Sequence, residues 1–85
     1  MSLRDIKREH ILKAIEEIDR FGVPPRRNSR KFLLEYNGKF YPPKYILALA
    51  HKYATGRVLS SQEFEGGVQT NKCLRSRGFI IVKKS

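Results

Sequence analysis

The chain has a single cysteine, Cys73, and so cannot close an internal disulfide. No apolar run approaches the ~20 residues that span a bilayer as a helix, and no signal-peptide-like apolar segment opens the sequence. A cytoplasmic protein that does not enter the membrane is expected. Acidic side chains are also scarce, with eight Asp and Glu against eighteen Lys and Arg. Both aspartates, Asp5 and Asp19, fall in the first segment, and the later Glu35, Glu63 and Glu65 have no histidine close by, so paired carboxylates for acid–base chemistry are missing. His10 and His51 are too few for a metal site, and Cys73 on an apolar helix face reads as packed core. No catalytic residue, metal or cofactor is assigned, and the domain is not expected to be an enzyme on its own.

What the chain does have is positive charge, unevenly placed. Residues 1–20 are neutral, with Arg4, Lys7, Arg8, Lys13 and Arg20 balanced by Asp5, Glu9, Glu16, Glu17 and Asp19. The whole net charge of +10 therefore falls on the remainder, from Arg26 to Lys84. Cations crowded in this way repel one another unless a polyanion compensates them, and nucleic acid is the first such partner to consider. An anionic membrane surface fits less well, because the basic residues are spread over loops and several elements instead of one amphipathic helix. With 85 residues, an apolar share of 40% and nine aromatic side chains (Phe and Tyr together), the chain is one small folded domain with a single core.

Leu3, Ile11, Ala14, Ile15, Ile18 and Phe21 recur at helical spacing, flanked by Ile6 and Leu12. Ser2 and Asp5 resemble a capping box, and Gly22 with Pro24-Pro25 stops the helix near Phe21. The Glu9 and Lys13 pair, at i,i+4, is expected to solvate its outer face. Phe32 to Tyr41 reads as a β-hairpin about Asn37-Gly38, both residues tolerating the positive φ of a type I′ turn. The two-residue loop sets Tyr36 opposite Lys39 and Leu34 opposite Tyr41, and the face with Phe32, Leu34, Tyr36 and Tyr41 is expected to be core. Pro43 suits the first position of a second, largely buried helix through Thr55, whose thin polar strip holds Lys44, Ala48, His51, Lys52 and Thr55. Ser60 and Glu63 suggest one or two turns of helix, anchored by Phe64 and ending at Gly66-Gly67. A polar helix follows from Val68 to about Arg77, with Gln69, Asn71, Lys72, Arg75 and Ser76 outward and Thr70, Cys73 and Leu74 inward. Gly78 caps it, and Phe79 to Val82 is a strand that pairs with the hairpin.

The side chains suited to nucleic acid lie in three places. Arg26, Arg27, Arg30 and Lys31 crowd one turn-rich loop with no acidic neighbour and suit phosphate contact. The polar helix offers Gln69 and Asn71 for base edges with Lys72 and Arg75 for bases or backbone, and Gly66-Gly67 leaves the N–H groups at its start open to a phosphate. Lys44 and Lys52 on the second helix are further candidates, although a polar strip on a buried helix must reach solvent whatever the function. The tyrosines Tyr36, Tyr41, Tyr45 and Tyr53 stand at core spacing, and no base-stacking cage is assigned to them.

The run Lys39-Phe40-Tyr41-Pro42-Pro43-Lys44-Tyr45-Ile46, then Phe64-Glu65-Gly66-Gly67, Thr70-Asn71, Leu74 and Gly78-Phe79-Ile80-Ile81-Val82, resembles the N-terminal head domain of McrA-like, ScoMcrA-type modification-dependent restriction endonucleases. The resemblance covers Lys31 to Val82. It implies a DNA-binding module that helps a restriction enzyme engage its target, with Lys44, Gly66, Gly67, Thr70 and Asn71 at matching positions and cleavage performed by an effector domain elsewhere in a longer chain. Nothing in the sequence resembles the family's nuclease.

The expectation is thus an α+β domain over 1–85, ordered α-β-β-α-α-α-β, with a short antiparallel sheet packed against a central helix. Its expected function is binding of double-stranded DNA, modified or not, as the targeting module of a restriction or related prokaryotic DNA-defence protein. The same charge permits an RNA-binding module, and an adaptor for an acidic protein partner is the alternative from another class.

Overall fold

The computed structural model describes residues 5–25, 31–57 and 68–83. The first helix, α1 (Arg8–Phe21), starts later than the Ser2 and Asp5 pattern suggests. Its N-cap is Lys7, whose backbone N–H is accepted by His10 Nδ1 at 2.9 Å. Ile6 and Ile11 flank this cap at the hydrophobic-staple positions and are both fully buried, which fixes where the helix begins. Ile11, Ala14, Ile15 and Ile18 form the buried stripe, but Phe21, past its end in the last turn, is 76% exposed. The expected Glu9–Lys13 pair does not form: Lys13 lies over the Tyr53 ring instead, 5.8 Å from its centroid.

Strands β1 (Phe32–Tyr36) and β2 (Lys39–Tyr41) make the hairpin, in the register set by its two-residue turn, with Leu34 opposite Tyr41 and Tyr36 opposite Lys39. Asn37 and Gly38 have φ of 51° and 77°, as a type I′ turn requires. The inner face is the expected one: Leu34 and Tyr41 are buried while Phe40, on the other face, is 55% exposed. Strand β3 (Ile80–Lys83) pairs antiparallel with β1, giving the order β2-β1-β3.

Helix α2 (Pro43–Thr55) opens with Pro43 in its first turn and packs on α1, α3 (Val68–Ser76) and β1. Because it is covered from several sides, its polar strip closes further than expected: Ala48 and His51 are buried together with Ile46, Leu47, Leu49 and Ala50. His51 Nδ1 donates to the Arg57 carbonyl at 2.6 Å, tying the end of α2 to the chain that follows. The result is an α+β fold with a short antiparallel sheet and a central helix. The described elements run α-β-β-α-α-β, and the additional short helix expected near Ser60 to Gly66 lies outside the described residues.

Candidate nucleic-acid interface

Helix α3 is held by one side. Thr70, Cys73 and Leu74 recur at i, i+3 and i+4 and are buried, with Leu74 fully enclosed. Burial pushes the Cys73 thiol up from its ordinary pKa, only partly opposed by the nearby Arg77 charge, so it stays a packed thiol and not a nucleophile. At the helix end the N–H groups of Arg77 and Phe79 bond the Leu74 carbonyl, at 3.1 and 3.2 Å, and the chain turns into β3.

The outward residues divide. Gln69, Lys72 and Arg75 are exposed as expected, but Asn71 is only 3% exposed. One position away from Thr70, it is drawn under the surface, and its Oδ1 has no hydrogen-bond partner. Ser76 is occupied locally, donating to the Cys73 carbonyl at 2.7 Å. Asn71, Lys72, Arg75 and Ser76 line an open groove of about 560 Å³ whose other wall is Phe32, the first residue of β1. Lys31, exposed, directly precedes that wall. The end of the expected basic loop and the polar helix therefore come together, although one is far from the other in sequence. The hairpin pattern alone places Phe32 on the core face; its position in sequence next to the basic loop is the signal that it also borders the groove.

The other candidates are distributed differently. Arg26, Arg27, Arg30, Gly66 and Gly67 lie outside the described residues. Lys44 is half-buried in the first turn of α2. Lys52 is engaged inside the fold: its ammonium pairs with Glu17 of α1 and lies 4.8 Å from the Tyr53 ring centroid. Glu17 Oε1 also accepts the Tyr53 hydroxyl at 2.7 Å. Burial alone would raise the Glu17 pKa, but the hydrogen bonds from Lys52 and Tyr53 and the Lys52 charge outweigh it and hold the carboxyl below its ordinary value. The Lys52 charge is thus already compensated. By contrast, neither Lys72 nor Arg75 makes an ion pair or hydrogen bond among the described residues. No group of three or more His, Cys, Asp or Glu is gathered as metal ligands would be among those residues, and none of their helices is long and apolar enough to cross a membrane.

A family model for the ScoMcrA-like N-terminal head domain matches residues 4–83. The chain belongs to that family. No curated protein and no solved structure matches it. The match reaches further than the Lys31 to Val82 resemblance and takes in α1, in keeping with the way Glu17 and Asp19 of that helix bind α2 and the hairpin. Among the described residues of the head domain, several of the matching motif positions are interior. Tyr41, Pro42 and Pro43 are buried where β2 passes into α2, and Thr70 and Asn71 are buried in α3. Of the motif pair Thr70-Asn71, only Asn71 reaches the groove.

Proposed function

We propose that this head domain is a non-catalytic double-stranded DNA-binding module, the targeting part of a modification-dependent restriction endonuclease or a related prokaryotic DNA-defence protein. An effector domain in the same full-length chain would do the cutting, in the cytoplasm. The observation that carries the reading is the pair Lys72 and Arg75, one turn apart on α3, exposed beside a groove and without an ion pair among the described residues, while Lys52 spends its charge within the fold. Two such cations suit successive phosphates, and Gln69 on the same helix suits a base edge or sugar. Lys31, directly before β1, adds a flanking phosphate contact, and Arg26, Arg27 and Arg30, which precede it in sequence, are further phosphate contacts of this reading.

The test is binding of this chain to matched duplexes, unmodified, cytosine-methylated and adenine-methylated, over a salt series with an RNA duplex as control. Preference for DNA with a steep salt dependence supports the reading, and discrimination among the three duplexes makes the domain a modification reader. RNA preference overturns the DNA assignment. Absence of binding at low salt overturns the module altogether and favours an adaptor for an acidic protein.

A further inference from the structure

Asn71 is the one buried polar side chain with an unpaired side-chain atom among the described residues, and it lies in the wall of the groove that Lys72 and Arg75 border. Folded proteins pair nearly all buried polar atoms, so an orphaned acceptor at a groove is a feature that a ligand explains better than packing does. The neighbouring polar groups do not absorb it. Ser76 Oγ is committed to the Cys73 carbonyl, the Phe32 ring carries no donor, and neither Lys72 nor Arg75 donates to Oδ1.

We propose that Asn71 reads an adenine, its carboxamide accepting from the N6 amino group and donating to N7, while Lys72 and Arg75 hold the adjoining phosphates. The inference rests on the DNA-binding reading given above and specifies its site. A carboxamide carries an acceptor and a donor side by side. Of the base edges offered in the major groove of a duplex, adenine alone presents the complementary donor and acceptor pair. In the free protein Oδ1 is closed to water, so the proposed contact requires a change of the Asn71 χ1 rotamer that turns the whole carboxamide out into the groove. Lys72 and Arg75 are long enough to swing toward backbone on either side, and Phe32 supplies an apolar wall for the neighbouring thymine methyl.

The experiment is selection from a randomised duplex library by this chain and by its Asn71→Leu variant, followed by 7-deazaadenine at the selected position. The unsubstituted chain is expected to enrich a fixed adenine, and replacing its N7, which removes one of the two hydrogen bonds, is expected to weaken binding roughly 2- to 12-fold, about half the range of a bidentate base contact. Asn71→Leu should lose the preference at that position, bind the selected duplex roughly 5- to 150-fold more weakly with an unchanged salt slope, and melt no lower than the parent, because the unpaired acceptor is gone. DNA binding without a preferred base, or an adenine preference that survives both Asn71→Leu and 7-deazaadenine, overturns the inference and leaves the DNA-binding reading standing. No DNA binding at low salt overturns both.

Discussion

Arg77 turns back across the domain to Ile6: its Nε donates to the Ile6 carbonyl at 2.5 Å, joining the end of α3 to the residue that staples the start of α1. Its Nη1 also donates to the Cys73 carbonyl at 3.0 Å. Arg8 completes the junction, donating to the Arg77 carbonyl at 2.9 Å and placing its guanidinium 4.5 Å from the centre of the Phe79 ring. These arginines hold the two ends of the described chain together. The positive surplus that suggests a polyanion is therefore not all available to one.

Arg77→Ala should destabilise the domain by about 1–3 kcal/mol, the range for losing a charge-assisted hydrogen bond whose carbonyl partner is left behind. Thermal unfolding followed by circular dichroism checks the size. The salt dependence of DNA binding should not change, because Arg77 is occupied by the fold.

Gly78 has a φ of +87°, and a Cβ built there would stand 2.8 Å from Arg8 Nη1. The arginine tip can move aside, but the backbone conformation remains unfavourable for an L side chain, so Gly78→Ala should cost about 1–2 kcal/mol. Most of that loss should persist in an Arg8→Ala background. If the loss vanishes there, the strain lies in the collision and not in the backbone.

Much of this architecture is legible in the residues. Asn37-Gly38 sets the hairpin register, Pro43 starts α2, and the β-branched run at Ile80 to Val82 finds its place beside β1 because both have an apolar inner face. The two sides of α3 are legible as well, since Lys72 and Arg75 lie on the side opposite its buried residues. Less was readable wherever the answer depended on which side chain meets which. Nothing local distinguishes Lys52, paired with Glu17, from Lys72, which is not, because the pairing joins helices 35 residues apart in sequence. Asn71 looked like one more solvated polar residue, and only the packing of α3 against the body of the domain takes it under the surface. The start of α1 departs from the local pattern for the same reason: Ile6 belongs to the tertiary core and sets the cap, overriding Ser2 and Asp5.

Glu17 gives the domain an acid-sensitive joint. Because its folded pKa is held below the ordinary 4.5, the link to Lys52 and Tyr53 stabilises the fold fully above that value and loses its contribution as pH falls through the depressed one. The sign follows from the unfolded chain binding the proton more readily. Glu17→Gln should be less stable at neutral pH and show a shallower fall in stability below pH 4.5, measured as urea midpoints across acid pH. Equal acid slopes in the two proteins would remove Glu17 from the account.

Tyr41 behaves in the opposite direction. Burial, reinforced by its hydroxyl's 2.7 Å hydrogen bond to Asp19 and by that carboxylate's charge, pushes its pKa from 10.0 up to about 12. The neutral phenol therefore stabilises the hairpin against α1 fully below pH 10, and the contribution is lost as pH rises through 12. A spectrophotometric tyrosinate titration should show a last phase near pH 12 that is missing in Tyr41→Phe, beside Tyr53, which its hydrogen bond to Glu17 also raises. A titration unchanged by that substitution contradicts the assignment.

The most direct measurement is the slope of log K against log salt for a DNA duplex, compared between the parent chain, Lys72→Ala/Arg75→Ala and Lys52→Ala. Two lost phosphate contacts should flatten the slope by about 1.8, whereas Lys52→Ala, already neutralised by Glu17, should leave it unchanged. Identical slopes and affinities for the parent and the α3 double variant would contradict the account, because α3 would then not be the face that meets DNA.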